Sequence, residues 1–181
     1  MTMRKTYTPE RALLFVAVLY SEEAFYEKAR ERLAEVFGEP PFESRRLRWD
    51  HSEYYRDELG WPITRRFMAF GRAFDTASIR EVKLFTNRLE EELSAGGRRR
   101  VNLDPGYITE AKVVLATTKN YPHRIYLGSG IFAEVTLFYT KGCYRAHRFT
   151  YRDYGTPEYL DVFHRMRGLL RQTLPRVAGP A

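Results

Sequence analysis

The sequence has one cysteine, Cys143, in 181 residues, which excludes an internal disulfide. It has no apolar run near the roughly 18 residues that span a bilayer. The longest, residues 12–20, is the length of a buried strand. Residues 1–11 lack the apolar stretch that follows the basic residues of a secretory signal. Together these absences give the expectation of a soluble chain in a reducing cytoplasm, with no membrane partner.

Several catalytic and cofactor motifs are missing as well. There is no GxxxxGK[ST] phosphate loop, and no GxGxxG follows the first strand-like run. No CxxC or HxxxH pair offers zinc spacing, so no metal site is assigned and the cofactor stays unspecified. GxSxG is absent, and Gly128-Ser129-Gly130 reads as the tip of a hairpin rather than a nucleophile elbow.

Apolar residues, by contrast, are plentiful. They make up 44% of the chain, and 13 tyrosines with 12 phenylalanines are enough for a large, aromatic-rich core. The length fits one domain, expected over 1–174, with a frayed tail over 175–181. Charge is unevenly placed. Residues 1–90 hold 16 Lys/Arg against 15 Asp/Glu, and residues 91–181 hold 14 against 8, so nearly all of the net +7 lies in the second half. That half attracts anions, whether phosphate, nucleotide or nucleic acid.

Residues 13–19 (LLFVAVL) are apolar on both faces and predict an internal strand. Ser21 with Glu22 and Glu23 predicts a helix start, and Gly38 with Pro40 its end. Strands are expected over 42–49 and 65–74, and a helix over 76–93 closed by Gly96-Gly97. A short strand over 98–103 is followed by Asp104-Pro105-Gly106, a turn signal, and Thr109 is placed to cap a helix over 110–118. Strands over 123–127 and 131–139 form the hairpin, 144–151 reads as another strand, and Thr156-Pro157 opens a last helix. The order predicts one α+β domain: a mainly antiparallel sheet with a ferredoxin-like (split βαβ) first half, extended by the second half, with helices packed on it.

Polar residues inside this otherwise core-like second half are the candidates for function. Glu134 and Thr136 alternate with Phe132 and Phe138 on one strand face, where a carboxylate is costly unless paired or functional. His123 lies beside Arg124 and just after Lys119, suited to acid/base work. Asn102 and Asp104 alternate on one strand face, and Asp104 at a strand end would suit Mg²⁺ or simply bond its own turn. Lys83, Asn87 and Glu90 share one helix face, spacing that also fits an exposed stripe. Arg98-Arg99-Arg100 reads as a solvated strand start. The set is Glu134, His123 and Asp104 for catalysis, with Arg100, Asn102, Lys112, Thr118, Lys119, Arg124, Tyr126 and Thr136 for binding.

Five stretches, EYYRDELG (53–60), RRFMAFGRAF (65–74), VKLFTNRLE (82–90), RRVNLDPGYIT (99–109) and AKVVLATTKNYPHRIYLGSGIFAEVTLFY (111–139), resemble a bacterial family filed as domain of unknown function 4416. The resemblance covers nearly the whole chain and implies no settled activity. Some members carry the label "GTP-binding protein", and members tend to read TTKD where this chain has Thr117-Thr118-Lys119-Asn120. A guanine-reading loop has Asp two places after its lysine; Tyr121 stands there in this chain.

The expectation is therefore a cytosolic protein that binds a small phosphorylated or otherwise anionic metabolite, a nucleotide among them. Lys112, Lys119, His123 and Arg124 would hold the anion, and Asp104 and Glu134 would supply acid/base or metal chemistry. The rival is an RNA-binding accessory protein with a basic, aromatic-bearing sheet face, although no RNP string is present. A third reading is a non-catalytic structural homo-oligomer.

Overall fold

Eight consecutive residues without a charge, Leu13–Tyr20, form β1, and all of them are buried. Side chains alternate across a strand. Leu13, Phe15 and Ala17 therefore enter one core, while Leu14, Val16, Val18 and Tyr20 enter the other. A strand apolar on both sides belongs in the interior of a sheet covered on both faces.

The computed structural model describes residues 11–174. Within them β1 is followed by α1 (Glu23–Phe37), β2 (Phe42–Glu43), β3 (Leu47–Trp49), α2 (Arg56–Leu59), β4 (Ile63–Ala73), α3 (Ile79–Glu92), β5 (Val101–Ile108), β6 (Lys112–Thr117), β7 (Ile125–Gly128), β8 (Ile131–Thr140), β9 (Cys143–Arg145) and α4 (Pro157–Thr173). All strands join one antiparallel sheet in the order β2-β4-β1-β5-β6-β8-β7, with β3 also on β4 and β9 also on β8. The first half is a split βαβ: β1 lies between β4 and β5, and α1 and α3 cover the same face. The second half extends that sheet through β6, β8 and β7. α4 covers the opposite face with Tyr159, Phe163, Met166 and Leu170. This is the expected α+β domain; the expected tail over 175–181 lies outside the described residues.

Helix limits follow the expected signals at Gly38 and Thr156 but not at Gly96-Gly97 or Ser21. α3 is capped at Leu93, and the two glycines lie in a turn bridged by Ala95 and Arg98. Gly38, at φ 88°, ends α1 and donates to the Ala34 carbonyl at 2.8 Å. Thr156 caps α4, with Pro157 at its first position. Ser21 does not cap α1; its hydroxyl bonds the Leu59 carbonyl instead.

Four local expectations are corrected. Residues 110–118 hold a strand, not a helix. Val113, Val114, Leu115 and Ala116 are buried on both faces, which suits an internal strand. The Thr109 hydroxyl does accept backbone N–H bonds, from Ala111 at 3.1 Å and Lys112 at 3.2 Å, but in the β5–β6 turn. Asp104-Pro105-Gly106 is not a turn and lies inside β5, so Asp104 is not at a strand end. Gly106 is required there: a Cβ would meet the Val114 carbonyl and come 2.6 Å from the Phe15 ring. The strand expected over 144–151 ends at Arg145; beyond it His147 and Thr150 bond the Val135 and Thr136 carbonyls at 2.6 and 2.7 Å. The strand expected over 42–49 is two short ones.

Candidate functional site

β5 and β6 pair only over Gly106↔Leu115, Tyr107↔Val114 and Ile108↔Val113. The same register continued would set Pro105 against Ala116, and proline has no N–H for a ladder. From that point the strands part. The gap between Asn102 and Asp104 on one side and Thr117, Thr118 and Lys119 on the other is a cleft of about 440 Å³. That volume is in the range of small-ligand pockets.

Opening a sheet leaves backbone groups without a neighbour strand. At Leu103 two side chains of α3 take the strand's place. Glu90 Oε1 accepts the Leu103 N–H at 2.6 Å, and Lys83 Nζ donates to the Leu103 carbonyl at 2.8 Å. Burial is the largest influence on Glu90 and holds its carboxyl above the ordinary 4.5, against the pull of Lys83 and the Leu103 N–H. Arg99 reaches Glu90 at 3.1 Å and also pairs with Glu58.

On the α4 face of the sheet the cleft floor is charged. Asn102 and Arg65 flank Leu19, and Asp104 lies opposite Ala17, so register puts all three on one face. Asp104 accepts from Asn102 Nδ2 at 2.8 Å and Arg65 Nη1 at 3.3 Å, with Lys83 Nζ 3.9 Å away. Arg65 also lies 3.7 Å from Asp153, which accepts the Trp49 indole N–H at 3.0 Å. Asp104 keeps 29% of its side chain exposed, unlike the buried Arg65. Tyr55, Tyr151 and Tyr154 form aromatic walls, and burial raises the pKa of all three hydroxyls.

Glu134 lies beside Leu115 on β8 at the edge of this cleft. Arg124 Nε donates to it at 2.6 Å, His123 Nε2 lies at 3.0 Å, and Thr136 Oγ1 donates to its other oxygen at 3.2 Å. Arg124 also donates to the Lys119 carbonyl at 2.7 Å and bonds the Tyr151 hydroxyl. The His123 ring stacks on Phe149 at 4.5 Å. Glu134 and Thr136 share a face, as alternation predicts, but Phe138 does not join them. The β6–β8 register slips at Thr136, and this bulge moves Leu137 to the α4 core and Phe138 to the other face.

Asn102, Asp104, Thr118, Lys119 and Glu134 thus line one cleft, with His123, Arg124 and Thr136 behind Glu134. The other three lie elsewhere. Lys112 starts β6, five strand steps or about 16 Å from Thr117. Arg100 pairs with Glu22 outside the cleft. Tyr126 is exposed on β7 against Phe132. The expected cradle of Lys112, Lys119 and Arg124 is therefore not formed. The Lys83, Asn87 and Glu90 stripe is turned into the cleft rather than to solvent.

Sequence reasoning did not select Arg65, Arg99, Asp153 or the tyrosines. Arg65 left a trace, because it shares strand parity with the buried Phe67 and Ala69. Asp153 left none. Among the described residues no group of three or more His, Cys, Asp or Glu side chains is placed to hold a metal ion.

Fold and cleft define a ferredoxin-like α+β protein whose enlarged antiparallel sheet splits around a charged, aromatic-walled pocket. The chain belongs to the family described as domain of unknown function DUF4416, which matches residues 10–169. No curated protein and no solved structure matches it. Among the described residues no helix is long and apolar enough to cross a membrane.

Proposed function

We propose that the cleft binds a small metabolite that places a phosphoryl or carboxylate group at the mouth and a polar remainder inside. One observation carries the reading. The interior cations are already matched, Arg65 by Asp104 and Asp153 and Arg99 by Glu58 and Glu90. At the mouth Lys119 and Arg152 have no carboxylate partner among the described residues, and both line the cleft. The Lys119 ammonium lies over an aromatic face there, the Tyr54 ring at 4.5 Å. An anion at the mouth completes the charge balance, and Asn87, Asn102 and Thr118 offer hydrogen bonds to the rest.

Asp104 is the carboxylate placed to exchange a proton with that ligand, since it is partly open to the cleft with Lys83 nearby. Glu134 is enclosed by its own partners and supports the wall. A nucleotide is the natural first candidate, because it joins an anion to a planar group suited to the tyrosine walls.

The test is a thermal-shift screen of nucleotides, sugar phosphates and carboxylate metabolites, with and without Mg²⁺, followed by calorimetry on any hit. Lys119→Glu and Arg152→Glu should each weaken the hit by about tenfold or more. Asp104→Asn should remove turnover or interior recognition, at a stability cost smaller than that of losing both carboxylates beside the buried Arg65, because Asp153 still faces it. Absence of any hit at millimolar concentration, or a hit indifferent to both mouth variants, would refute the proposal.

A further inference from the structure

The register of β6, β8 and β9 builds a second feature from residues far apart in sequence. Lys112 lies opposite Phe138, and Phe138 lies opposite Arg145. Directly opposed residues share a face and are about 5 Å apart. Val113, Leu137 and Tyr144 point into the α4 core. The row Lys112–Phe138–Arg145 is therefore on the other face, away from Glu134, Asp104 and α4. Phe138 is 47% exposed there, with the His147 ring 5.3 Å from its own.

Both cations of this row, Lys112 and Arg145, have no carboxylate partner among the described residues. The acid nearest to Lys112 in sequence, Glu110, is held on the α4 side by Arg11, Arg167 and Arg171. Unmatched cations bracketing an exposed ring are complementary to a chain with regularly spaced anions and flat groups between them. An acidic peptide would match the cations but not require the ring. A duplex would present phosphates while keeping its bases stacked away from Phe138.

We propose that this face binds single-stranded nucleic acid, with Phe138 stacking on a base and Lys112 and Arg145 holding phosphates. Beside it on the same face lie the half-buried Val135 and Ile125, which is 70% exposed; they extend the apolar strip along β8 and β7. The site is independent of the cleft and does not rest on the ligand proposed there.

The test is fluorescence anisotropy of a labelled single-stranded U-rich RNA, the same-length DNA and a duplex, with the full chain. Single strands should bind in preference to duplex. Two phosphate contacts give a slope of about −1.4 in log K against log salt. Phe138→Ala should weaken binding about tenfold with an unchanged melting temperature, since the ring is exposed. Phe138→Trp should restore it, and Lys112→Glu with Arg145→Glu should abolish it. Lys119→Glu, in the cleft, should leave it unchanged. Equal binding of duplex, indifference to Phe138→Ala, equal competition by poly-glutamate, or no binding at 50 mM salt would each overturn the proposal.

Discussion

β5 and β6 behave as two different structures along one strand pair. Over Gly106–Ile108 they are joined by backbone bonds and packed between apolar cores. One residue earlier, at Pro105, they part, and the space between them fills with Lys83, Glu90, Arg99, Asn102 and Asp104. The paired end is held by repetition of one backbone pattern. The split end is held by individual side chains, of which Glu90 and Lys83 supply to Leu103 the two bonds that a neighbouring strand would have supplied. A sheet can open a polar pocket in its middle only if such substitutes exist, because an unsatisfied backbone group costs as much as the bond it lacks.

The largest effect should come from Glu134, which borders both ends. Its partners Arg124, His123 and Thr136 enclose it, so Glu134→Gln leaves a buried guanidinium without its carboxylate. Urea denaturation should show a loss of about 3–5 kcal/mol, with much of it recovered by adding Arg124→Met. A loss under about 1 kcal/mol would mean that Glu134 is held for its chemistry rather than for the fold.

Next is Gly106→Ala, which tests the paired end. The added methyl meets the Val114 carbonyl and the Phe15 ring, and overpacking of this kind costs about 1–3 kcal/mol. Lys83→Met probes the split end. It removes the donor to the Leu103 carbonyl, and chemical denaturation should register about 1–2 kcal/mol. If the variant were neutral, the open edge would not depend on α3.

The smallest effect is a pH dependence at Glu90. Its folded-state pKa is raised above 4.5, chiefly by burial. Such a carboxyl binds a proton more readily folded than unfolded, so its ionised form costs stability at neutral pH. That cost is relieved as pH falls through the folded pKa and is gone below the ordinary value. Glu90→Gln should therefore gain on the wild type at neutral pH, and the gain should shrink toward pH 4. A gap that is constant between pH 4 and 8 would contradict the assignment.

Much of the fold was legible from local pattern. The two-faced apolar run of β1 required an interior strand, and Gly38 and Thr156-Pro157 marked helix limits. Local rules failed where long-range pairing outweighed them. Thr109 has the side chain of a helix cap, and Asp104-Pro105-Gly106 has the composition of a turn. Neither sequence carries the information that β1 and β8 lie alongside to receive strands. The candidate segment was chosen because its polar residues interrupt a core-like pattern. That signal found Asn102, Asp104, Lys119 and Glu134. It gave Lys112 the same weight, because sequence proximity does not tell which end of a strand faces a cleft.

The sequence by itself determined the class of fold, the basic second half and the polar segment, since each depends on composition or on a periodicity of a few residues. Only the tertiary structure decided which polar residues meet. Arg65 from β4, Lys83 and Glu90 from α3, Asp104 from β5 and Asp153 before α4 converge because the sheet orders its strands as β4-β1-β5-β6, not in chain order. The Thr136 bulge likewise separates Glu134 from Phe138 although alternation put them on one face. Register and bulges arise from contacts between distant segments, so no window of sequence around either residue contains them.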